Sequence, residues 1–204
     1  MPRGRYSHHD THDGTPLGEE HFQCAPGPSG WRYVSQLTTP DGAPAGSVDL
    51  TLDGLGRPLR LALAAGGWQV RGAALDGVTW VRTDPGGDRA QEANAPAQAF
   101  TGASPAFLIA TAFLLRPALS APATRVRLVA VNPPVLAART LDQSWELLEQ
   151  VPHDTDGGPL RVDGYRVTDL ETGEQAAVHL AGDVVLAAPG IELEELESPP
   201  SALP

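Results

Sequence analysis

From residue 47 to residue 84 the chain reads SVDLTLDGLGRPLRLALAAGGWQVRGAALDGVTWVRTD, with apolar residues returning at every second position between short glycine-containing turns. A period of two places alternate side chains on opposite faces of an extended strand. Val48, Leu50 and Leu52 therefore share one face, and Asp49, Thr51 and Asp53 take the other. Leu59, Leu61 and Leu63 repeat the pattern, followed by Trp68 with Val70 and by Val78 with Trp80. Four strands at this spacing predict an antiparallel meander with one buried face.

The flanking segments extend the same reading. EEHFQC and GWRYVSQLT, joined by the turn APGPSG, predict a hairpin, because Pro and Gly punctuate two runs with aromatic and β-branched residues. PGGDRAQEANAPAQ (85–98) reads as a surface loop. In SPAFLIATAFLLR, Ser104 is suited to cap a helix, Pro105 to open it and Pro117 to stop it. This helix is apolar almost all round, so it is expected to be buried against the sheet. RVRLVAV, PLRVDGYRVTDL, QAAVHLA and DVVLAAPG read as further strands, while LDQSWELLEQV fits a short helix or an irregular strand.

The expected class is thus α+β: mainly β, with one central helix. At 204 residues the chain suits a single domain. Residues 1–18 lack any apolar period and are expected as a flexible His/Asp-rich arm. A single β-rich domain then spans 19–197, and 198–204 is expected as a frayed Pro-rich end.

Charge narrows the partners. The 25 acids outnumber 14 bases, all of them arginine, for a net charge of −11. Such a chain repels phosphate backbones and anionic headgroups, which argues against nucleic acid and against adsorption to a membrane surface. The apolar run AFLIATAFLL is too short to cross a bilayer, and no apolar h-region follows MPRGRYSHHD. The lone Cys24 fits a reducing compartment, so a cytoplasmic location is expected. Nothing in the sequence fixes an oligomeric state.

SHHDTHDG (7–14) has the residue types of a metal site, and His8 and His12 have a helix-face spacing. The segment has no apolar stripe and contains Gly14, with Pro16 close by, so no helix is expected to hold them and no metal or other cofactor is predicted. PHDTDGG, with His153, Asp154 and Asp156, reads as a turn before a strand. There is no nucleophile elbow and no phosphate loop, and Cys24 has no partner motif, so no catalytic residue is assigned.

At its C-terminal half the chain resembles a bacterial family assigned to glycolipid binding. The likeness rests on Pro105, on Pro134 with Leu136, on Gln143 with Trp145, and on the turn Ala188-Pro189-Gly190-Ile191, all in matching order. The resemblance implies a strongly curved antiparallel sheet, or half-barrel, wrapped around the apolar helix as in LolA- and LolB-type carriers, with an apolar pocket between them. It carries no catalytic residues, and the family's arginine-rich strand motif has no match in GSVDLTLDGLGRPLRLAL.

The first expectation is therefore a non-enzymatic protein that holds a lipid, glycolipid or similar amphiphile between sheet and helix. Trp68, Trp80, Phe107 and Phe113 are the candidate ligand-binding residues, on the inward strand face or on the buried helix. The alternatives are an enzyme using His21, His179 and carboxylates in the same cavity, and a structural or partner-binding domain with a filled core.

Overall fold

Val48, Leu50 and Leu52 are buried and Asp49, Thr51 and Asp53 are only half-buried, so the opening alternation sorts its residues as the period of two requires. The computed structural model describes residues 1–27, 30–118, 123–155 and 158–201. These residues form one sheet of 15 strands and one helix.

The first half is a continuous antiparallel meander. It runs through β1 (Arg3–His9), β2 (Pro16–Gly27), β3 (Gly30–Thr38), β4 (Pro44–Asp53), β5 (Pro58–Ala65), β6 (Trp68–Leu75), β7 (Gly77–Thr83) and β8 (Ala90–Ala95). The second half approaches from the opposite edge. β9 (Ala99–Thr101) lies parallel to β10 (Thr124–Asn132), and α1 (Pro105–Leu115) crosses between them. β11 (Ala137–Thr155), β12 (Gly158–Asp169), β13 (Gln175–Ala181), β14 (Val184–Ala188) and β15 (Ile191–Leu196) then pair antiparallel in turn. β15 pairs with β1, so the two ends of the chain meet in the middle of the sheet.

α1 fills the concave side. Ser104 accepts the Ala106 N–H as N-cap and Pro105 opens the first turn, as predicted. Phe107, Ile109, Ala110, Phe113 and Leu115 are all buried, which matches a helix apolar on every side. Opposite the closed centre, the free edges approach each other through Phe100 of β9. A Cβ on Gly72 of β6 would lie 2.5 Å from the Phe100 Cζ, so this glycine makes room for the ring. The sheet is a large, curved and unclosed antiparallel barrel-like wall around one helix, the architecture expected.

Several local expectations are corrected. Residues 1–18 are not a free arm: Arg3–His9 is a central strand bonded on both sides, and its Tyr6 is fully buried. The short RGRYSHH has one large apolar residue facing inward, too weak a pattern to detect in isolation. The surface loop at 85–98 contains the edge strand β8, whose six residues are exposed or half-buried and so carry no alternation. LDQSWELLEQV, open between a helix and an irregular strand, is the strand: it lies in β11, with a register shift between Leu147 and Glu149. Leu59 points outward and is 42% exposed, because a register shift between Thr51 and Leu52 pairs Arg60 and then Pro58 with them. Of the segment expected to fray, 198–201 is held at Ser201, whose N–H donates to the Asp183 Oδ1 at 2.6 Å, and 202–204 lies outside the described residues. In PHDTDGG, His153 and Asp154 continue β11, and Asp156 lies outside the described residues.

Candidate ligand-binding site

A β-bulge borders a cleft beside the C-terminal end of α1. Along β11 and β12, Leu141, Trp145, Tyr165 and Val167 face the core. Trp145 pairs with Val167 and Leu147 with Tyr165, but the next partner of β12 is Glu149, so Leu148 is skipped and pushed outward, 54% exposed. Past this bulge the inner face continues as Gln150, Asp163 and Arg161, where the strands extend beyond the end of the helix. One strand face thus changes from apolar to polar within a few residues.

The cleft there has a volume of about 710 Å³, within the range of roughly 300–1,000 Å³ typical of small-molecule sites. Ala112, Leu147, Leu160 and Leu180 give its apolar side. Asp163 organises its polar side: Arg161 Nε lies 3.0 Å from Oδ1, Gln150 Nε2 donates to Oδ1 at 3.0 Å, and the Tyr165 hydroxyl points to Oδ2 at 3.5 Å. Burial, and then the Asp163 charge, push the Tyr165 phenol up, so it stays protonated and available as a donor. Arg116, just beyond the C-terminus of α1, also lines the cleft.

Two carboxyls are buried in the interior, outside the residues that line the cleft. Glu20, fully buried on β2, accepts from the Tyr33 hydroxyl at 2.9 Å and the Ser104 hydroxyl at 2.6 Å, and His8 Nε2 lies 3.1 Å from its other oxygen. The carboxylate therefore stands at the N-terminus of α1, where the helix dipole favours negative charge. Asp183, in the turn between β13 and β14, accepts from Trp31 Nε1 at 3.3 Å and from the Ser201 N–H, and the Cys24 thiol lies 3.4 Å from its Oδ2. Burial raises the Asp183 carboxyl, with these hydrogen bonds opposing the rise. Burial likewise pushes the Tyr6, Tyr33 and Cys24 protons to higher pH, so Cys24 is a buried thiol rather than a nucleophile.

The sequence-predicted residues fall elsewhere. Phe107 and Phe113 are buried in α1, inside the core. Trp68 is half-buried at the start of β6 and Trp80 half-buried in the middle of β7, and the Arg82 guanidinium stacks 3.6 Å above the Trp68 ring. None of the four is among the residues lining the 710 Å³ cleft. His21 is on the outer face beside Glu19, and His179 lies on the outer face of β13, with β1, β15 and β14 between β2 and β13. Among the described residues, no histidine lines the cleft. His8 and His9 alternate across β1 and His12 is in the following turn, and among the described residues no cluster of three or more potential ligands could hold a metal ion.

Ser104 was identified as a cap, but its carboxylate partner was not; Glu20 shares the parity of Phe22 and Cys24, the one signal that could have placed it inside. Asp183 had no such signal, since its partners come from β2, β3 and the C-terminal segment. The Gln143 and Trp145 pair has a direct role: Trp145 is buried and its Nε1 donates to the Gln143 Oε1 at 3.0 Å.

No protein-family model matches the chain, and no curated protein matches it. The fold is similar to that of a DUF1089 family protein from Pseudomonas aeruginosa, with a TM-score of 0.53 and 15% identity over 86% of this chain and 92% of that one. It is also similar to a β-barrel-like protein of the domain of unknown function DUF1849 from Brucella abortus. That match has a TM-score of 0.57 and 12% identity over 96% of each chain. At these identities the likeness is one of fold: the chain is a β-barrel-like protein with an unclosed antiparallel sheet. No helix among the described residues is long and apolar enough to cross a membrane.

Proposed function

We propose that this protein is a non-enzymatic binding protein for a lipid, glycolipid or similar amphiphile, held in the cleft between the end of α1 and the β11–β12 face. The observation that carries the reading is the change of side-chain character across the Leu148 bulge. It sets Leu147, Leu160 and Leu180 next to the Asp163, Gln150 and Arg161 group in one concavity. An apolar chain packs against the leucines and Ala112, while a hydroxylated head exchanges hydrogen bonds with a carboxylate, an amide and a guanidinium already positioned by one another. The barrel-like fold supports a binding role. A cytoplasmic location is part of the same proposal. Phe107 and Phe113 act in it as the core that supports the cleft wall, with Trp68 and Trp80 remote from the ligand.

Titration with dodecyl maltoside below its micellar concentration, followed by the fluorescence of Trp145 beside Tyr165, tests the reading. Saturable binding that is lost in Leu160→Glu supports it; a linear, non-saturating response in both proteins refutes it.

A further inference from the structure

Beyond β15 the chain leaves the sheet. Glu197 is its last sheet-held residue, its N–H donating to the Arg3 carbonyl at 2.9 Å and its carboxylate pairing with Arg3. Four residues later the backbone closes a ring with the β13–β14 turn. The Ser201 N–H donates to the Asp183 Oδ1 at 2.6 Å, and the Asp183 N–H donates to the Ser201 carbonyl at 3.1 Å. Gly182 permits this approach: its φ is +54°, and a Cβ there would lie 2.2 Å from the Ser201 carbonyl oxygen. Pro200 and Ser201 are at the same time walls of the 710 Å³ cleft.

We infer that residues 198–201 form a detachable strap across the mouth of the cleft, latched by Asp183, whose release regulates ligand entry. Every other lining residue belongs to α1 and the 3-10 turn after it, to strands β11–β13, or to the tight turn that follows β13. Among the described residues, the strap is hydrogen-bonded to the body through the reciprocal Ser201–Asp183 pair. On its departure the Asp183 Oδ2 keeps the Trp31 indole N–H and the Cys24 thiol, while the Oδ1 and the Asp183 N–H pass from Ser201 to the water that enters. Neighbouring β15 stays paired with β1, so the barrel wall is not disturbed. The strap is thus a low-stability element placed where access is decided, as binding-site lids generally are. The inference rests on the cleft being the ligand site.

Two variants test it: a chain ended after Glu197, and Ser201→Pro, which removes the latch N–H donor while keeping the residue's carbonyl. Amide exchange at Asp183 and stopped-flow binding of a dansyl-labelled undecanoic acid are measured for both and for the wild type. The expected result is loss of Asp183 N–H protection in both variants and an on-rate about tenfold higher than wild type, the population change matching one net hydrogen bond. Equal on-rates with saturable binding in all three overturn the strap and leave the binding reading intact. Absence of saturable binding in all three overturns the binding reading. Retained Asp183 protection in Ser201→Pro overturns the latch whatever the probe does.

Discussion

The Ser104 hydroxyl donates to the Glu20 Oε1 at 2.6 Å while accepting the Ala106 N–H at 3.3 Å, so one side chain both begins α1 and ties it to the barrel wall. Glu20 is fully buried, and its other partners are the Tyr33 hydroxyl and His8. Truncating it strands three polar groups in the interior. Glu20→Ala is expected to cost about 3–5 kcal/mol, and Ser104→Ala about 1–2 kcal/mol. Guanidinium denaturation of both variants measures the two values, and equal small losses would remove Glu20 from its anchoring role.

Ser35 lies on the inner face of β3, 2% exposed, and among the described residues its hydroxyl is the buried side-chain group without a hydrogen-bond partner. An unpaired buried hydroxyl opposes folding. Ser35→Ala is therefore expected to leave stability unchanged or to raise it by up to about 1 kcal/mol, against the usual direction for a core substitution. A loss in denaturation midpoint would reveal a partner for this hydroxyl.

Asp183 predicts the direction of a pH effect. Its folded carboxyl is raised by burial, so the folded chain holds this proton at a pH where the unfolded chain has released it. The resulting stability is fully present below the ordinary carboxylate range and is lost as pH rises through the raised folded value. Asp142 and Asp169 are lowered chiefly by hydrogen bonds, from Arg127 and from the Thr172 N–H; at Asp53 burial is the largest single effect, but the Arg57 and Leu55 hydrogen bonds and the Arg57 charge together outweigh it. The contribution of these three runs the other way, being lost as pH falls below the ordinary range. Asp183→Asn separates the two: across the window above the ordinary range, its stability should decline less steeply with pH than that of the wild type. Parallel stability profiles for the two proteins would contradict the assignment.

Alternation made much of the barrel wall legible, because a strand buried on one face must repeat every second residue. Val48, Leu50 and Leu52 are the clear case. It failed at Leu59, where the register shift in β4–β5 reverses the face, and at β8, which has no buried face to mark. β1 was missed because its inward positions are Gly4, Tyr6 and His8, of which only Tyr6 is both large and apolar. The cleft was illegible for a different reason. It depends on a one-residue bulge at Leu148 and on a C-terminal segment returning to Asp183, and neither leaves a local pattern. The aromatic residues favoured from the sequence, Trp68, Trp80, Phe107 and Phe113, were chosen by size and parity, which identify an inward face but cannot locate where that face opens.

Native mass spectrometry of the chain purified without affinity resin, before and after denaturation, tests the central claim most directly. The account predicts a lipid-sized adduct that is released on denaturation and is missing from Leu160→Glu purified in parallel. A bare mass in both proteins, persisting after incubation with dodecyl maltoside, would contradict a ligand-binding cleft and leave a structural domain with a filled core.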